Sequence, residues 1–223
     1  MRLLLINPNT SVHITERMAA SARAVFEPGD MLTAITASAG PEVVRNAELL
    51  AQADANAITL AAAHAPGHDA IVLGISLDGV ARRLRALHPA VPVVGMTEAA
   101  LLTACLRTER LGLLTLGASL LPLYRQGVER LGLEARVVAY QAPESTSAFA
   151  AGPAWVDAEL LELLAAASER LRHDGAQSIV LGGAVLCGYA PALALACAMP
   201  VFDGVACAVG QARLLVAQAA LDV

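Results

Sequence analysis

Three residues with reactive side chains stand just after two predicted strands. Ser76 and Asp78 follow the apolar run at 70–75, and Cys187 follows the apolar run at 178–183. A thiolate or a carboxylate can remove a proton, and a hydroxyl can donate a hydrogen bond to a carbonyl oxygen. Residues of these types after strand ends could therefore perform acid-base chemistry if they reach a common cleft.

Each of these residues also has a purely structural interpretation. Cys187 could pack as a small apolar residue inside a helix rich in Gly and Ala, because free cysteines are commonly buried. Ser76 and Asp78 could cap the helix that begins near residue 79, and for Asp78 we favour this capping role. The sequence leaves both interpretations open for Ser76 and Cys187.

An internal duplication relates the two strands to each other. The segment Ile71-Val72-Leu73-Gly74 recurs 108 positions later as Ile179-Val180-Leu181-Gly182, and Pro92-Val93-Val94 corresponds to Pro200-Val201-Phe202 at the same shift. A duplicated α/β unit typically places its ligand between its two halves. In this register Ile75 corresponds to Gly183, so the duplication also predicts which residues face each other.

Apolar runs of strand length alternate with amphipathic stretches of helix length, which predicts an α/β fold with parallel sheets. The predicted strands lie near 2–7, 31–36, 70–75, 92–95, 111–116, 135–140, 178–183 and 200–202. The predicted helices lie near 11–25, 43–64, 79–88, 97–107, 119–131, 156–173, 188–197 and 204–219. The duplication divides the strands into two four-stranded parallel sheets with a cleft between them. We expect one pseudo-symmetric domain from residues 1–96 plus 204–223 and the other from 97–203.

Local signals refine this outline. Ser11, Ser119 and Asp203 stand where they could cap the helices that follow them. The segment 141–147 has no periodicity and reads as an irregular loop, which could contact a ligand or simply lie on the surface.

Composition and charge exclude several classes of function. The chain has 223 residues, of which 57% are hydrophobic and 3% aromatic, and its formal net charge is −5. A protein that binds nucleic acid needs basic surface, and we find no basic run here, so we expect no nucleic-acid partner. The four cysteines form no C-x-x-C pair, which favours reduced thiols over disulfides or a metal site.

One stretch is long and apolar enough to raise the question of a membrane span. Residues 179–202 carry no charge, but glycines and prolines interrupt them, and the counterpart at 71–94 contains Asp78 and three arginines. We therefore interpret the stretch as a buried strand, helix and strand, and we expect a soluble, cytoplasmic protein with no membrane partner.

In open parallel sheets ligands bind at the carboxyl ends of the strands, where helix N-termini offer free N–H groups. Residues at four such ends are therefore the candidates for contact with a substrate. They are Asn7, Asn9, Thr10, Ile75, Ser76, Thr115, Gly183 and Ala184. Asn7, Asn9 and Thr10 also suit turn and cap chemistry, and the two roles are compatible.

The motifs at these ends resemble those of the hydantoin racemase branch of the aspartate/glutamate racemase superfamily. The resemblance extends over nearly the whole chain. It is carried by the segments Ile6-Asn7-Pro8-Asn9-Thr10-Ser11, 69–74, 92–100, 179–182 and 200–206. It implies two pseudo-symmetric α/β domains with a cofactor-free active site between them, a small-molecule substrate and a homo-oligomer.

The resemblance also implies one catalytic cysteine at the end of each duplicated central strand. One thiolate would remove a proton from a carbon next to a carbonyl, and a thiol on the opposite face would return one. Those positions are Ile75 and Gly183 in this sequence, and neither side chain can exchange a proton. The two-thiol mechanism therefore does not carry over to this chain.

Three functions remain open. The first is cofactor-independent racemisation or isomerisation at a carbon next to a carbonyl of a small cyclic amide or carboxylate, such as a hydantoin. The second is decarboxylase or lyase chemistry that uses Cys187, about one helical turn beyond Gly183, or Ser76. The third is a binding protein of the same fold without catalysis.

Overall fold

A computed structural model describes residues 1–145, 156–219 and 221. Its strands form two four-stranded parallel sheets, with the orders β2-β1-β3-β4 and β6-β5-β7-β8. The first sheet comprises β1 (Arg2–Asn7), β2 (Met31–Thr36), β3 (Ala70–Leu73) and β4 (Val93–Gly95). The second comprises β5 (Leu111–Leu114), β6 (Val137–Gln141), β7 (Ser178–Leu181) and β8 (Val201–Phe202). The predicted α/β fold with two parallel sheets is confirmed.

Helices follow the strands in the predicted alternation. They are α1 (Val12–Arg23), α2 (Ala47–His64), α3 (Ala81–Leu87), α4 (Met96–Cys105), α5 (Leu121–Arg130), α6 (Ala158–His173), α7 (Ala190–Cys197) and α8 (Gly204–Ala219). Two short 3-10 turns lie between a strand and the next helix in the second half. Ala118–Leu120 follows β5, and Ala184–Leu186 follows β7.

The duplication is visible in the topology. The second sheet repeats the strand order of the first, with each strand number raised by four. Strands β3 and β7 match residue for residue at the shift of 108, Ala70–Leu73 with Ser178–Leu181. All four residues of each of these strands are buried, as expected for parallel strands covered on both faces. Their apolar runs therefore sit at the centre of each half.

Helices α4 and α8 join the two halves. Helix α4 follows the last strand of the first sheet but packs against β7, whereas α8 follows the last strand of the second sheet and packs against β3 and β4. The two helices also pack against each other, and the apolar core runs through them from Val72 to Leu181. One continuous core therefore holds the ends of both central strands in fixed relation.

Two of the three predicted helix caps are wrong. Ser11 stands at the N-cap position of α1, but its side chain accepts no hydrogen bond from the helix; its Oγ instead donates to the carbonyl oxygen of Glu42, in the loop after β2, at 2.7 Å. Ser119 lies within a 3-10 turn, and its Oγ donates to the Arg45 carbonyl oxygen at 3.4 Å. Asp203 does cap its helix, since its Oδ1 accepts from the Val205 and Ala206 amides at 2.9 and 3.1 Å.

No helix within residues 1–145 or 156–219 is long and apolar enough to cross a membrane.

Candidate active site

A small cavity of about 80 Å³ lies between the carboxyl ends of the two central strands. Six of the predicted contact residues line it: Asn9, Ile75, Ser76, Thr115, Gly183 and Ala184. Glu42 and Tyr124 also line the cavity. Its apolar wall includes Ile14, Val43, Val44, Leu116, Leu120 and Val185. The cleft therefore combines a few polar groups with an apolar wall, as ligand sites commonly do.

A chain of three hydroxyl groups crosses the cleft from one half to the other. Thr115 Oγ1 donates to Tyr124 Oη at 3.3 Å, and Tyr124 Oη donates to Ser76 Oγ at 2.7 Å. Thr115 follows β5 and Tyr124 lies in α5, whereas Ser76 follows β3 in the other half. Because Ser76 Oγ already accepts a hydrogen bond, its own hydroxyl hydrogen is the one left to point at a ligand.

The phenol in this chain is held in its neutral form. Tyr124 is buried, and burial raises its pKa to about 12, which outweighs the opposing effect of the hydrogen bonds with Ser76 and Thr115. A phenol with so high a pKa donates a hydrogen bond at any physiological pH and does not act as a base.

The two positions at which the sequence resemblance implied cysteines both lie on the cleft. Ile75 and Gly183 line the cavity from opposite halves. Gly183 has a φ of +119°, a conformation that residues with a side chain rarely adopt, although a Cβ built there would meet nothing closer than Val185 Cγ1 at 3.7 Å. The backbone of the second half, and not a lack of space, thus disfavours a side chain at this position.

The asparagines at the end of β1 and just beyond it are mainly structural. Asn7 is fully buried, and its Nδ2 donates to the Ser11 carbonyl at 3.1 Å and to Thr15 Oγ1 at 2.9 Å. Asn9 Oδ1 accepts from the Ser11 amide at 3.0 Å, which closes a turn. Asn9 lines the cavity, whereas Asn7 and Thr10 do not. These side chains shape the loop that carries Asn9 to the cleft.

Cys187 is placed away from the cleft. It is 2% exposed, belongs to the apolar core, and is absent from the lining of the cavity. Burial first, and then the nearby Asp203 charge, raise the pKa of the thiol well above its usual range. A buried, protonated thiol is a poor acid-base group, so the placement favours the packing interpretation of Cys187 over the catalytic one.

Asp78 caps a helix, but not the one that follows it. Its Oδ2 accepts from the amides of Thr97 and Glu98 at 2.9 Å each, which are the first free N–H groups of α4. We predicted that Asp78 caps the helix near residue 79, and this is wrong, because Asp78 caps α4 instead. The turn after β3 brings its carboxylate against the end of the neighbouring strand β4, where α4 begins. Ser76 likewise bonds Tyr124 and caps no helix.

Two polar residues of the cleft, Tyr124 and Glu42, were not predicted from the sequence. Tyr124 lies one turn into α5 in the second half, and its hydroxyl contacts Ser76 in the first half. Whether the hydroxyl gets there depends on the angle of α5, which the sequence does not reveal. Glu42 lies in the loop after β2, and its carbonyl is tied down by Ser11. The only available signals were that tyrosine is rare in this chain and that Glu42 follows a Gly-Pro turn, and neither is specific.

A second opening of about 320 Å³ adjoins the cleft. The two cavities share the apolar side chains of Val43, Val44, Leu116 and Leu120. The predicted loop 141–147 reaches this opening with Glu144 and Ser145, whereas residues 146 and 147 lie outside the described part of the chain. Glu144 Oε1 accepts from the Ala118 amide at 3.1 Å, which anchors the loop beside the end of β5.

No cluster of three His, Cys, Asp or Glu side chains among the described residues is arranged to hold a metal ion. The cleft itself offers the Ser76 hydroxyl as a donor, which Tyr124 supports through its hydrogen bond, together with the acidic residue Glu42 and apolar contacts. Such a set can polarise a carbonyl group and remove a proton beside it.

Comparison with known proteins matches this architecture throughout. A family model described as Asp/Glu/Hydantoin racemase matches residues 3–212. The hydantoin racemase of Paenarthrobacter aurescens is 33% identical over 224 residues, which cover 97% of this chain and 92% of that protein. The allantoin racemase from Klebsiella pneumoniae superposes with a TM-score of 0.89 at 30% identity, covering 98% of this chain and 88% of that one. The allantoin racemase from Pseudomonas fluorescens gives a TM-score of 0.88 at 28% identity, covering 98% and 92%.

Proposed function

The chain belongs to the Asp/Glu/hydantoin racemase family, and from this premise we propose that it catalyses cofactor-independent proton transfer at a carbon next to a carbonyl of a small cyclic amide of the hydantoin type. The observation that carries the proposal is the hydroxyl chain of Thr115, Tyr124 and Ser76 across the cleft. The hydantoin and allantoin racemases that this chain resembles suggest the substrate class.

The hydroxyl chain supports a role in holding an enolate. When a base removes the proton next to a carbonyl, the electron pair moves onto the carbonyl oxygen. In the proposed complex Ser76 donates to that oxygen while it accepts from Tyr124, which in turn accepts from Thr115. Each bond in such a chain polarises the next, so the donor at its end is strengthened as negative charge develops.

We assign the base to Glu42, because Ile75 and Gly183 cannot take a proton. Glu42 lines the cavity, and its carbonyl is fixed by Ser11 Oγ at 2.7 Å. Its side chain is exposed, so it can pass the proton to water. Water then returns a proton to either face of the planar enolate. One C–H bond is thus broken by Glu42 and another is formed from water, which leaves a racemic product.

The size of the cavity favours a small ring. About 80 Å³ is enclosed by Ile75, Leu116 and Val185 on its apolar side. A compact substituent on the reacting carbon would extend into the adjoining opening of about 320 Å³. We therefore expect substrates with short substituents to be preferred.

The test is exchange of the reacting hydrogen in deuterated water. With 5-methylhydantoin or allantoin as substrate, proton NMR should show loss of the C5–H signal faster than in buffer without protein. Ser76→Ala and Glu42→Gln should each slow exchange by about a hundredfold. Tyr124→Phe should slow it as well, whereas Tyr140→Phe and Glu48→Gln serve as matched controls and should leave it unchanged.

Cys187→Ala separates this proposal from decarboxylase or lyase chemistry based on the thiol. Exchange should persist in this variant, because the thiol is buried away from the cavity. Loss of exchange in a variant that is still folded would transfer the proton-transfer role to Cys187 and contradict the assignment to Glu42.

A second candidate is a binding protein without catalysis, and the apolar Ile75 and the bare Gly183 specifically favour it. Saturable binding of the hydantoin with no exchange above the buffer rate would favour this candidate. The absence of both binding and exchange would exclude both functions for this substrate class.

A further inference from the structure

A larger cavity of about 320 Å³ lies on the other side of the hydroxyl chain, between α3, α4 and α5. Ser76 and Tyr124 line this cavity as well as the cleft, so their hydrogen bond forms part of the wall between the two. The function proposed above makes no use of this space.

One side of the cavity is apolar. It is formed by Leu77, Leu101, Leu123, Val128 and Leu131. A wall of this kind gains free energy from contact with the hydrocarbon part of a ligand, because apolar surface is then removed from water.

The other side carries guanidinium groups, and some of their N–H donors are available to a ligand. Arg82, Arg85 and Arg130 all line the cavity. Arg85 is engaged, since its Nη2 lies 2.6 Å from Glu98 Oε2 and its Nε donates to the Val93 carbonyl at 2.9 Å. Among the described residues no hydrogen bond or ion pair engages Arg82 or Arg130.

The acidic groups that face the cavity do not neutralise this pair. Asp78 accepts from the amides that begin α4, and Glu98 is paired with Arg85. Asp54 lies in α2 and does not line this cavity. It interacts with Arg130 through its charge alone, without a hydrogen bond. Two guanidinium groups with free donors thus face an apolar wall.

We propose that this cavity binds a small carboxylate with an apolar body. The guanidinium fork of Arg82 or Arg130 matches the two oxygens of a carboxylate, and the leucines receive the hydrocarbon part. A compact inorganic anion would leave the apolar wall unused. The proposal is independent of the cleft chemistry, because its test measures binding and needs no turnover.

Calorimetric titration with 4-methylpentanoate tests the charge requirement. The wild-type protein should bind it saturably, and the neutral isostere 4-methylpentanamide should bind at least about tenfold more weakly, because it cannot form charge-assisted hydrogen bonds. Arg82→Gln and Arg130→Gln should each weaken binding by about tenfold. Arg83→Gln is the matched control on the same helix, and it should bind as the wild type does because Arg83 does not line the cavity.

Gly127 allows the location to be tested without loss of fold. It lies in α5 and lines the cavity, and a Cβ built on it would meet only Arg130 Nη2, at 3.6 Å. Gly127→Met should fill the space and abolish binding, whereas Gly127→Ala should retain it. Both replacements favour the helix, so circular dichroism should show folded protein.

Four results would overturn the proposal. They are absence of saturable binding to the wild type, equal affinity for the amide, unchanged affinity in both arginine variants, and unchanged affinity in Gly127→Met.

Discussion

Helices α4 and α8 are equivalent in the duplication, yet each receives its capping carboxylate from a different place. In the second half Asp203 stands directly before α8 and accepts from the amides of Val205 and Ala206. In the first half the corresponding residue is Gly95, and Asp78 from the turn after β3 accepts from the amides of Thr97 and Glu98. These are the same two amides of equivalent helices, so the position of the carboxylate is preserved although its source is not.

The geometry shows that the two arrangements exclude each other within one half. A Cβ built on Gly95 would lie 2.4 Å from Asp78 Oδ2, so the Asp78 carboxylate fills the space that a side chain at 95 would need. The counterpart of Asp78 is Leu186, which is apolar and buried. The helix N-terminus therefore requires an acceptor, whereas the residue that supplies it is exchangeable.

The most severe test of this comparison is Gly95→Asp. The new side chain would collide with Asp78 and bring two carboxylates together, so we expect the free energy of unfolding in urea to fall by about 4 kcal/mol or more. The double variant Gly95→Asp with Asp78→Leu copies the second half and should recover most of this loss. Recovery by the double variant gives a large coupling energy in a double-mutant cycle.

Two results would contradict the equivalence of the Asp78 and Asp203 carboxylates. One is a Gly95→Asp variant as stable as the wild type, which would show that the two carboxylates do not compete for one space. The other is a double variant no more stable than Gly95→Asp alone, which would show that a carboxylate from position 95 cannot serve α4.

Removal of either carboxylate should cost less than that collision, and the two costs should differ. Asp203 accepts from three amides, because its Oδ2 also receives the Gly188 N–H at 2.7 Å, whereas Asp78 accepts from two. We expect Asp203→Ala to lower the free energy of unfolding by about 2–3 kcal/mol and Asp78→Ala by about 1–2 kcal/mol. Urea titrations at one pH measure both, and the reverse order would contradict this account.

The pH dependence of stability should carry a signature of Asp78. Burial raises its pKa to about 6, against the opposing effect of the amide hydrogen bonds. Since the folded pKa exceeds the unfolded value of about 3.9, folding takes up a proton between these values, and stability falls as the pH rises from about 4 to 6. Asp78→Asn should remove about 3 kcal/mol of this fall.

Asp54 provides the control for this titration. Burial raises its pKa to about 6 as well, so it contributes to the same window from a different site. Asp54→Asn should therefore flatten the same part of the curve without affecting α4. If Asp78→Asn follows the wild-type curve between pH 4 and 6, the pKa of Asp78 is not raised.

The sequence predicted the elements well because their signals are local. Strands β3 and β7 are buried on both faces and appear as uninterrupted apolar runs, and the last helix was placed at its observed bounds, 204–219. Residues that directly follow a central strand, such as Ser76, could be placed at the cleft because strand ends meet at one edge of a parallel sheet.

What failed depends on contacts between elements. The cap of α4 comes from Asp78, which lies 19 residues before Thr97, and no local pattern identifies such a partner. Tyr124 reaches Ser76 across the boundary between the halves, and this contact depends on the angle of α5. Cys187 stands at the expected spacing, but the 3-10 turn at Ala184–Leu186 carries it into the core.

A substitution with a small effect on stability distinguishes Ile75 from Gly183, the two corresponding positions at the cleft. Gly183 has a φ of +119°, so Gly183→Ala should lower the free energy of unfolding by about 1 kcal/mol through backbone strain, although a Cβ there has no close contact. Gly127→Ala is the matched control, because this helical glycine should gain stability from the same added methyl group. A stabilised Gly183→Ala would show that the second half accepts a side chain at this position as readily as the first half accepts Ile75. In that case strain would not explain why the two halves differ at the cleft.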